Sequence, residues 1–388
     1  MESFWSRGHA AERSSWKIAL GGALLIASAC ALGAPTVSQV SGPLDHNGSI
    51  TISGSGFGSK PTAAPWVWDN ATASKLTNVW GGAWPNAVPG YNTGYYPTPV
   101  RGVNPPHAHD APRIIAGAHA SSKDAYSGYN VMLFKSLQVP AFPMNFYASW
   151  YQLADKNWTF GGDNNFKTFD YSEGLNPYAG SGGIGQSWYT AYGPPHPSST
   201  TDTGVQWVYE TESPLMNPDV NGHNAWWGWA RNPMAGQWTK VEIAFKATNQ
   251  KDGWITIWED GRKVVAYQGP TDSYAGNTRT IAIGGYARMQ FPTNWRYFDD
   301  VYIDTTLQRV VLANNSVLAN ATIVEVQIPV TWSDGSITAT VNLGKFTQGT
   351  SAYLFVVDAS GNPSAAGYKV TAGGTASAPS SPTSFQVR

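Results

Sequence analysis

The sequence predicts an all-β chain built as two unequal β-sandwiches, and three observations carry that expectation. Runs rich in Val, Ile, Thr, Tyr and Trp alternate with polar residues, as half-buried strands do. Gly (41 residues) and Pro (26) interrupt these runs at short intervals and mark turns. Long stretches with helical spacing of apolar residues are hard to find. A hydrophobic content of 42% over 388 residues suffices for a substantial core.

The N-terminus has a different character. Arg7, Arg13 and Lys17 give a positive opening, and Ile18 to Ala29 is an apolar run of small residues. Ala29-Cys30-Ala31 and Ala31-Leu32-Gly33 both satisfy a small-x-small cleavage rule. The run is too short to span a bilayer, so residues 1–34 read as a signal peptide. The mature chain is expected to be secreted, or to sit at a bacterial cell surface or in the periplasm, without a transmembrane segment. Cys30 is the single cysteine, so no internal disulfide can form. Ile26-Ala27-Ser28-Ala29-Cys30 resembles a lipoprotein box, with Ala27 where Leu is usual. Lipidation of Cys30 and an ordinary signal are the two readings. The net charge of −1, with no basic run, argues against nucleic acid as a partner.

Residues 35–69 open with Pro35 to Gly42 and continue through Gly48-Ser49-Ile50-Thr51-Ile52-Ser53-Gly54-Ser55-Gly56-Phe57-Gly58. Ile50 and Ile52 alternate as on a half-buried strand. Two strands cannot stand alone. Residues 70–125 are irregular, and read as long loops or edge strands. Residues 126–305 carry the strongest strand pattern. Within them, Trp254-Ile255-Thr256-Ile257-Trp258-Glu259 and Arg262 to Tyr267 flank Asp260-Gly261, a favoured two-residue hairpin turn. Residues 306–371 alternate again, and 372–388 are Gly/Ala/Ser/Pro/Thr-rich, as a flexible tail is. Strands in 35–69 either pair with those in 306–371, with the larger sandwich inserted between them, or form a separate module.

Two resemblances rest on these segments. The run from Gly48 to Gly58 is similar to the opening of an IPT/TIG immunoglobulin-like domain, which implies an Ig-like β-sandwich over 35–69 and 306–371. The order Trp238-Thr239-Lys240-Val241-Glu242-Ile243, then Ile255-Thr256-Ile257-Trp258-Glu259-Asp260-Gly261, then Phe298-Asp299-Asp300-Val301-Tyr302-Ile303-Asp304 resembles the concanavalin A-like lectin/glucanase (laminin-G-like) jelly roll. That resemblance implies a jelly-roll β-sandwich over 70–305. It leaves the activity open, because lectins, glycoside hydrolases and polysaccharide lyases share the architecture.

Eighteen tryptophans beside only 13% charged residues leave aromatics over for a surface. A flat ring stacks on the apolar face of a sugar, while neighbouring amides and carboxylates bind its hydroxyls. Trp150, Trp188, Trp207, Tyr209, Trp226, Trp227 and Trp229 are the candidate carbohydrate-binding residues, the last three Trp on a loop. Trp254, Trp258 and Phe298 alternate with aliphatics and are expected in the core. The favoured function is an exported carbohydrate-binding or adhesive protein whose partner is a polysaccharide or glycan. One alternative is a polysaccharide lyase, which needs a cation to neutralise a uronate and a base for its C5 proton. Lys167, Tyr209 and Arg288 are candidates for those parts. A glycosidase is disfavoured, since no run of carboxylates matches the familiar jelly-roll hydrolase strand. A structural surface-assembly protein is the remaining alternative. No cofactor is required. Asp299, Asp300 and Asp304 form an oxygen cluster of the kind structural calcium takes, against the reading that one caps a turn and another faces water. His107, His109 and His119 read as loop residues rather than a zinc site, because Pro105, Pro106 and Pro112 bracket the first two.

Overall fold

Segments with period-two alternation fold as strands, and the chain is all-β. The structure is a computed structural model. It describes residues 33–70, 98–100, 104–109, 114–119, 131–138, 144–154, 165–173, 187–192, 205–211, 224–230, 236–248, 250–269, 271, 278–285 and 294–376. Apart from Gly33 these belong to one unit, Ala34–Arg388. The signal expected at 1–34, with Cys30, falls almost wholly outside the described residues, as do 377–388. Among the described residues, helix is confined to a 3-10 turn over Leu318–Asn320, and no helix is long and apolar enough to cross a membrane.

The first strands are β1 (Thr36–Pro43), β2 (Ser49–Ser55), β3 (Val67–Asp69), β4 (Thr98–Val100), β5 (Ile114–His119), β6 (Val131–Gln138) and β7 (Met144–Ala154). Next come β8 (Asn165–Glu173), β9 (Ser187–Tyr192), β10 (Val205–Thr211), β11 (Asn224–Ala230), β12 (Thr239–Ala247), β13 (Trp254–Glu259) and β14 (Arg262–Gln268). The last are β15 (Thr278–Gly285), β16 (Asn294–Asp304), β17 (Arg309–Ala313), β18 (Val324–Trp332), β19 (Ser336–Thr340), β20 (Ser351–Val357), β21 (Tyr368–Thr371) and β22 (Thr375–Ala376).

The large jelly-roll sandwich has a front sheet in the order β11-β10-β9-β8-β15-β6 and a back sheet in the order β14-β13-β12-β7-β16-β5-β4, with β3 also on β16. Between them lie Phe146, Ala148 and Trp150 of β7, Ile243 and Phe245 of β12, Ile255 and Ile257 of β13, and Phe169, Ile281 and Ile283 of the front sheet. The β13–β14 hairpin turns at Asp260 (φ 46°) and Gly261 (φ 73°). Two positive φ angles are what a tight I′ turn between twisted strands requires.

The small sandwich is one ladder, β21-β20-β17-β18-β19-β2-β1-β22, drawn from both ends of the unit. Ile52 of β2 stands opposite Ile337 of β19. β18 changes partner along its length. Val324 to Gln327 pair with β17, and Ile328 to Trp332 pair with β19, with the register slipping between Pro329 and Thr331. Proline lacks the N–H a continuous ladder needs and fits such a bulge. The ladder encloses a core that includes Val40, Ile50, Ile52, Leu312, Ile337 and Leu354. Thr375 and Ala376, expected in a flexible tail, instead pair with Pro43 and Gly42.

The small sandwich packs on the outer face of the back sheet. Tyr147, Ala244 and Tyr302 meet Val311, Val326 and Phe355 there, all buried. Ion pairs thread this junction. Glu325 is fully buried and accepts from Lys240 Nζ at 2.5 Å, from the Lys345 N–H at 3.0 Å and from the Tyr151 hydroxyl. Gly344 (φ 48°) lies against that carboxyl group, where a β-carbon would clash with it. Glu242 accepts from the Tyr147 hydroxyl at 2.6 Å, and the Arg309 guanidinium lies 4.0 Å from the Tyr147 ring centre. Burial pushes the Tyr147 and Tyr151 hydroxyls well up, and the Glu242 and Glu325 carboxylates push them further. Both phenols therefore stay protonated donors.

The expectation for β13 is half corrected by this junction. Ile255 and Ile257 enter the large core, as does Phe298 of β16. Trp254 and Trp258 occupy the alternate positions and pack toward the small sandwich, part-exposed. Alternation marks the strand, but two apolar environments flank it and alternation cannot tell them apart.

Candidate functional site

The back sheet spends its outer face on the junction, so the front sheet alone turns an outer face away from the small sandwich. Register assigns residues to its two faces. Phe169 of β8 is fully buried, and it pairs with Tyr189, which pairs with Tyr209 and then Ala225. That row, and the row Phe166–Ala191–Trp207–Trp227 beside it, lie on the core face, because directly opposed residues share a face.

The intervening rows lie on the outer face. One runs Asn165–Tyr192–Gln206–Trp229, the next Lys167–Thr190–Val208–Trp226, and the third Asp170–Trp188–Glu210–Asn224. Two bulges set this pattern. Lys167 and Phe169 would share a face by simple alternation, but the register slips between them and moves Lys167 to the outer face. Likewise the slip opposite Gln206 and Trp207 puts Trp229 out of phase with Trp227. The register thus assigns Trp, Asn, Gln, Thr, Tyr, Val, Asp, Glu and Lys positions to the outer rows, and Phe, Tyr, Trp and Ala positions to the core rows.

Among the sequence candidates, Lys167, Trp188, Trp226 and Trp229 fall, by register, in the outer rows. Trp207, Tyr209 and Trp227 fall, by register, in the core rows. Trp226, Trp227 and Trp229 lie on strand β11 rather than a loop. Arg288 lies outside the described residues. Trp150 is corrected outright. It is 0% exposed, stacks on Phe169 with centroids 5.9 Å apart, and donates from Nε1 to Gln152 Oε1 at 3.0 Å. Nothing outside the core can reach it. Asn165, Tyr192, Gln206 and Asn224 complete the outer rows and were not singled out by sequence. Their signal is a polar alternation on four successive strands, readable only once the bulges are placed.

The calcium cluster is also corrected. Asp304 accepts from Lys60 Nζ at 2.6 Å and from the Tyr302 hydroxyl at 2.9 Å. Asp300 Oδ2 lies 2.9 Å from His107 Nε2 and accepts from Asn342 Nδ2 at 3.0 Å. Asp299 Oδ1 caps the Asp300 N–H at 2.9 Å. Protein groups thus engage both oxygens of Asp304, Oδ2 of Asp300 and Oδ1 of Asp299, and no group of three or more metal-ligating side chains converges among the described residues. His109 Nε2 donates to the Phe346 carbonyl at 2.6 Å, so it and His107 serve different partners.

Burial raises both carboxyls, with opposite outcomes. For Asp300 the bonds from His107 and Asn342 outweigh burial, and its pKa falls below the usual carboxylate range. For Asp304 burial outweighs Lys60 and the pKa is raised. A depressed carboxyl adds stability that is present above the unfolded value of about 3.9 and lost as pH falls through the folded value. Asp304 acts the other way, since protonating it favours the fold. Urea midpoints measured against pH are therefore expected to fall less steeply below about pH 4 in an Asp300→Asn chain than in wild type. Equal slopes would remove Asp300 from the acid response.

No protein-family model matches the chain, and no curated protein matches it. Solved structures do resemble it. Alginate lyase Aly36B is 11% identical, covering 63% of this chain and 97% of that one, with a TM-score of 0.41. An endo-beta-1,4-glucuronan lyase from the fungus Trichoderma reesei is 13% identical, covering 63% and 96%, with a TM-score of 0.39. The marine PL-14 alginate lyase from Aplysia kurodai is 11% identical, covering 63% and 100%, with a TM-score of 0.34.

Proposed function

We propose that this protein is exported and binds a polysaccharide along the outer face of the front sheet. The register carries this reading, because it groups Trp188, Trp226 and Trp229 with Asn165, Gln206, Asn224 and Glu210 on one face. Stacking surfaces interleaved with hydrogen-bonding groups suit a chain of sugar rings. Trp188→Ala and Trp226→Ala are each expected to weaken binding about tenfold, the loss of roughly one good aromatic contact. Trp207→Ala is expected to lower the melting temperature and leave affinity intact.

A second reading, β-elimination on a uronate polymer, is favoured by one further feature. Tyr192 is directly opposite Asn165, and Lys167 follows two residues on along the same face. Such diagonal neighbours stand about 7–8 Å apart. Lys167 would neutralise the uronate carboxylate; Tyr192, as the phenolate, would take the C5 proton as the C4–O bond breaks and a C4=C5 double bond forms, and would then pass that proton to the departing C4 oxygen. One experiment separates the readings: a glycan panel including alginate and glucuronan, scored for binding and for the ultraviolet absorbance of unsaturated uronates. Binding with product supports elimination, and Lys167→Ala should then abolish product. Binding without product leaves the binder alone. Neither result would sink both.

A further inference from the structure

A second aromatic site lies where the two sandwiches meet. A cleft of about 350 Å³ opens there, at the lower end of the ~300–1,000 Å³ of small-molecule sites. Its floor is β13, with Trp254, Thr256 and Trp258 all facing into it and all part-exposed. At the rise of a strand, the two indoles stand about 13 Å apart with the Thr256 hydroxyl between them. The Leu318–Asn320 turn contributes Leu318 and Ala319 to the opposite wall.

Polar groups edge this apolar floor. Arg309, 8% exposed, lines the cleft and donates from Nη1 to the Leu307 carbonyl at 2.8 Å. Its Nε–H has no hydrogen-bond partner. A buried guanidinium donor left without an acceptor is costly, and a ligand oxygen would relieve it. Glu242 also lines the cleft, but its Oε1 is held by the Tyr147 hydroxyl. Lys263 stands exposed at the rim. The cleft therefore offers two flat apolar surfaces, a hydroxyl, and a surplus of positive charge.

We propose that this cleft binds a short acidic oligosaccharide, with rings stacked on Trp254 and Trp258 and a sugar oxygen accepting from the Arg309 Nε–H. The proposal shares a ligand class with the front-sheet reading but none of its residues, so each can fail without the other. The test is calorimetric titration of the full chain with oligomannuronate and oligoglucuronate, and with neutral cello-oligosaccharides as control. Wild type should show an oligouronate site that survives in the Trp188→Ala/Trp226→Ala chain. That site should weaken about tenfold in Trp254→Ala and in Thr256→Trp, which fills the floor. Thermal melts report whether these variants fold. Should they not, Lys263→Glu at the exposed rim should weaken oligouronate binding and leave neutral sugars unchanged. The proposal is overturned if no site survives the front-sheet double substitution. It is equally overturned if folded Trp254→Ala and Thr256→Trp bind as wild type, or if Lys263→Glu has no effect.

Discussion

Replacing Lys240 with Ala is expected to destabilise the chain by about 3–5 kcal/mol, the usual consequence of leaving a buried charge without its partner. Lys240 is 4% exposed on β12, and its Nζ reaches Glu325 Oε2 at 2.5 Å and the Val324 carbonyl. Glu325 is 0% exposed. The nearby Lys345 amine is engaged by Asp260 at 3.3 Å, part-exposed, and is a poor substitute. Removing Lys240 strands the Glu325 carboxylate between the two sandwiches. The double substitution Lys240→Met/Glu325→Leu should recover only part of the loss: it removes the stranded charge, but it leaves the Tyr151 hydroxyl and the Lys345 N–H without their acceptor. Equilibrium urea unfolding measures both. A loss under about 1 kcal/mol for Lys240→Ala, the range of a surface pair, would show that the junction is wet.

Trp150→Ala is expected to cost a similar amount, about 3–5 kcal/mol, for a different reason. The substitution empties a site in the middle of the large core, where the indole stacks on Phe169 at an interplanar angle of 13°. It also frees Gln152 Oε1 from its donor, beside a Gln152 Nε2 that already lacks a partner. Glycan affinity of the folded fraction should not change. A ring that served as a sugar platform would give the opposite result, with melting preserved and affinity lost. Comparing Trp150→Ala with Trp188→Ala in melting and titration thus separates the two classes of tryptophan.

Those classes were only partly legible in the sequence. Alternation at Ile255/Ile257 and the Asp260-Gly261 turn located the hairpin, because strand pattern and turn chemistry are local. The face taken by Lys167 or Trp229 is not local. Each depends on one extra residue opposing a partner strand, and a bulge leaves no mark in composition. Trp226-Trp227-Gly228-Trp229 has no period of two and so resembles a loop in sequence, and the bulge in β11 is the reason. The carboxylates of β16 stood out as a cluster, but their partners did not. Lys60 precedes Asp304 by 244 positions and His107 precedes Asp300 by 193. Without those partners in view, three acids in six residues look like a metal site.

The ladder that joins both ends of the unit has a kinetic consequence. Gly58 donates to Asp334 across 276 positions, and among the described strands the β1–β2 pair is flanked by β19 and β22. Closing so long a loop adds little to the equilibrium cost, which grows only with the logarithm of length. Its effect on rate is larger, since nonlocal pairings wait for the chain between them. During synthesis, Ile50 and Ile52 form an unpaired, apolar edge until β19 follows some three hundred residues later. The large sandwich can fold in the interval. Its assembly brings β3 and β16 side by side, and so delivers the two halves of the small sandwich to each other.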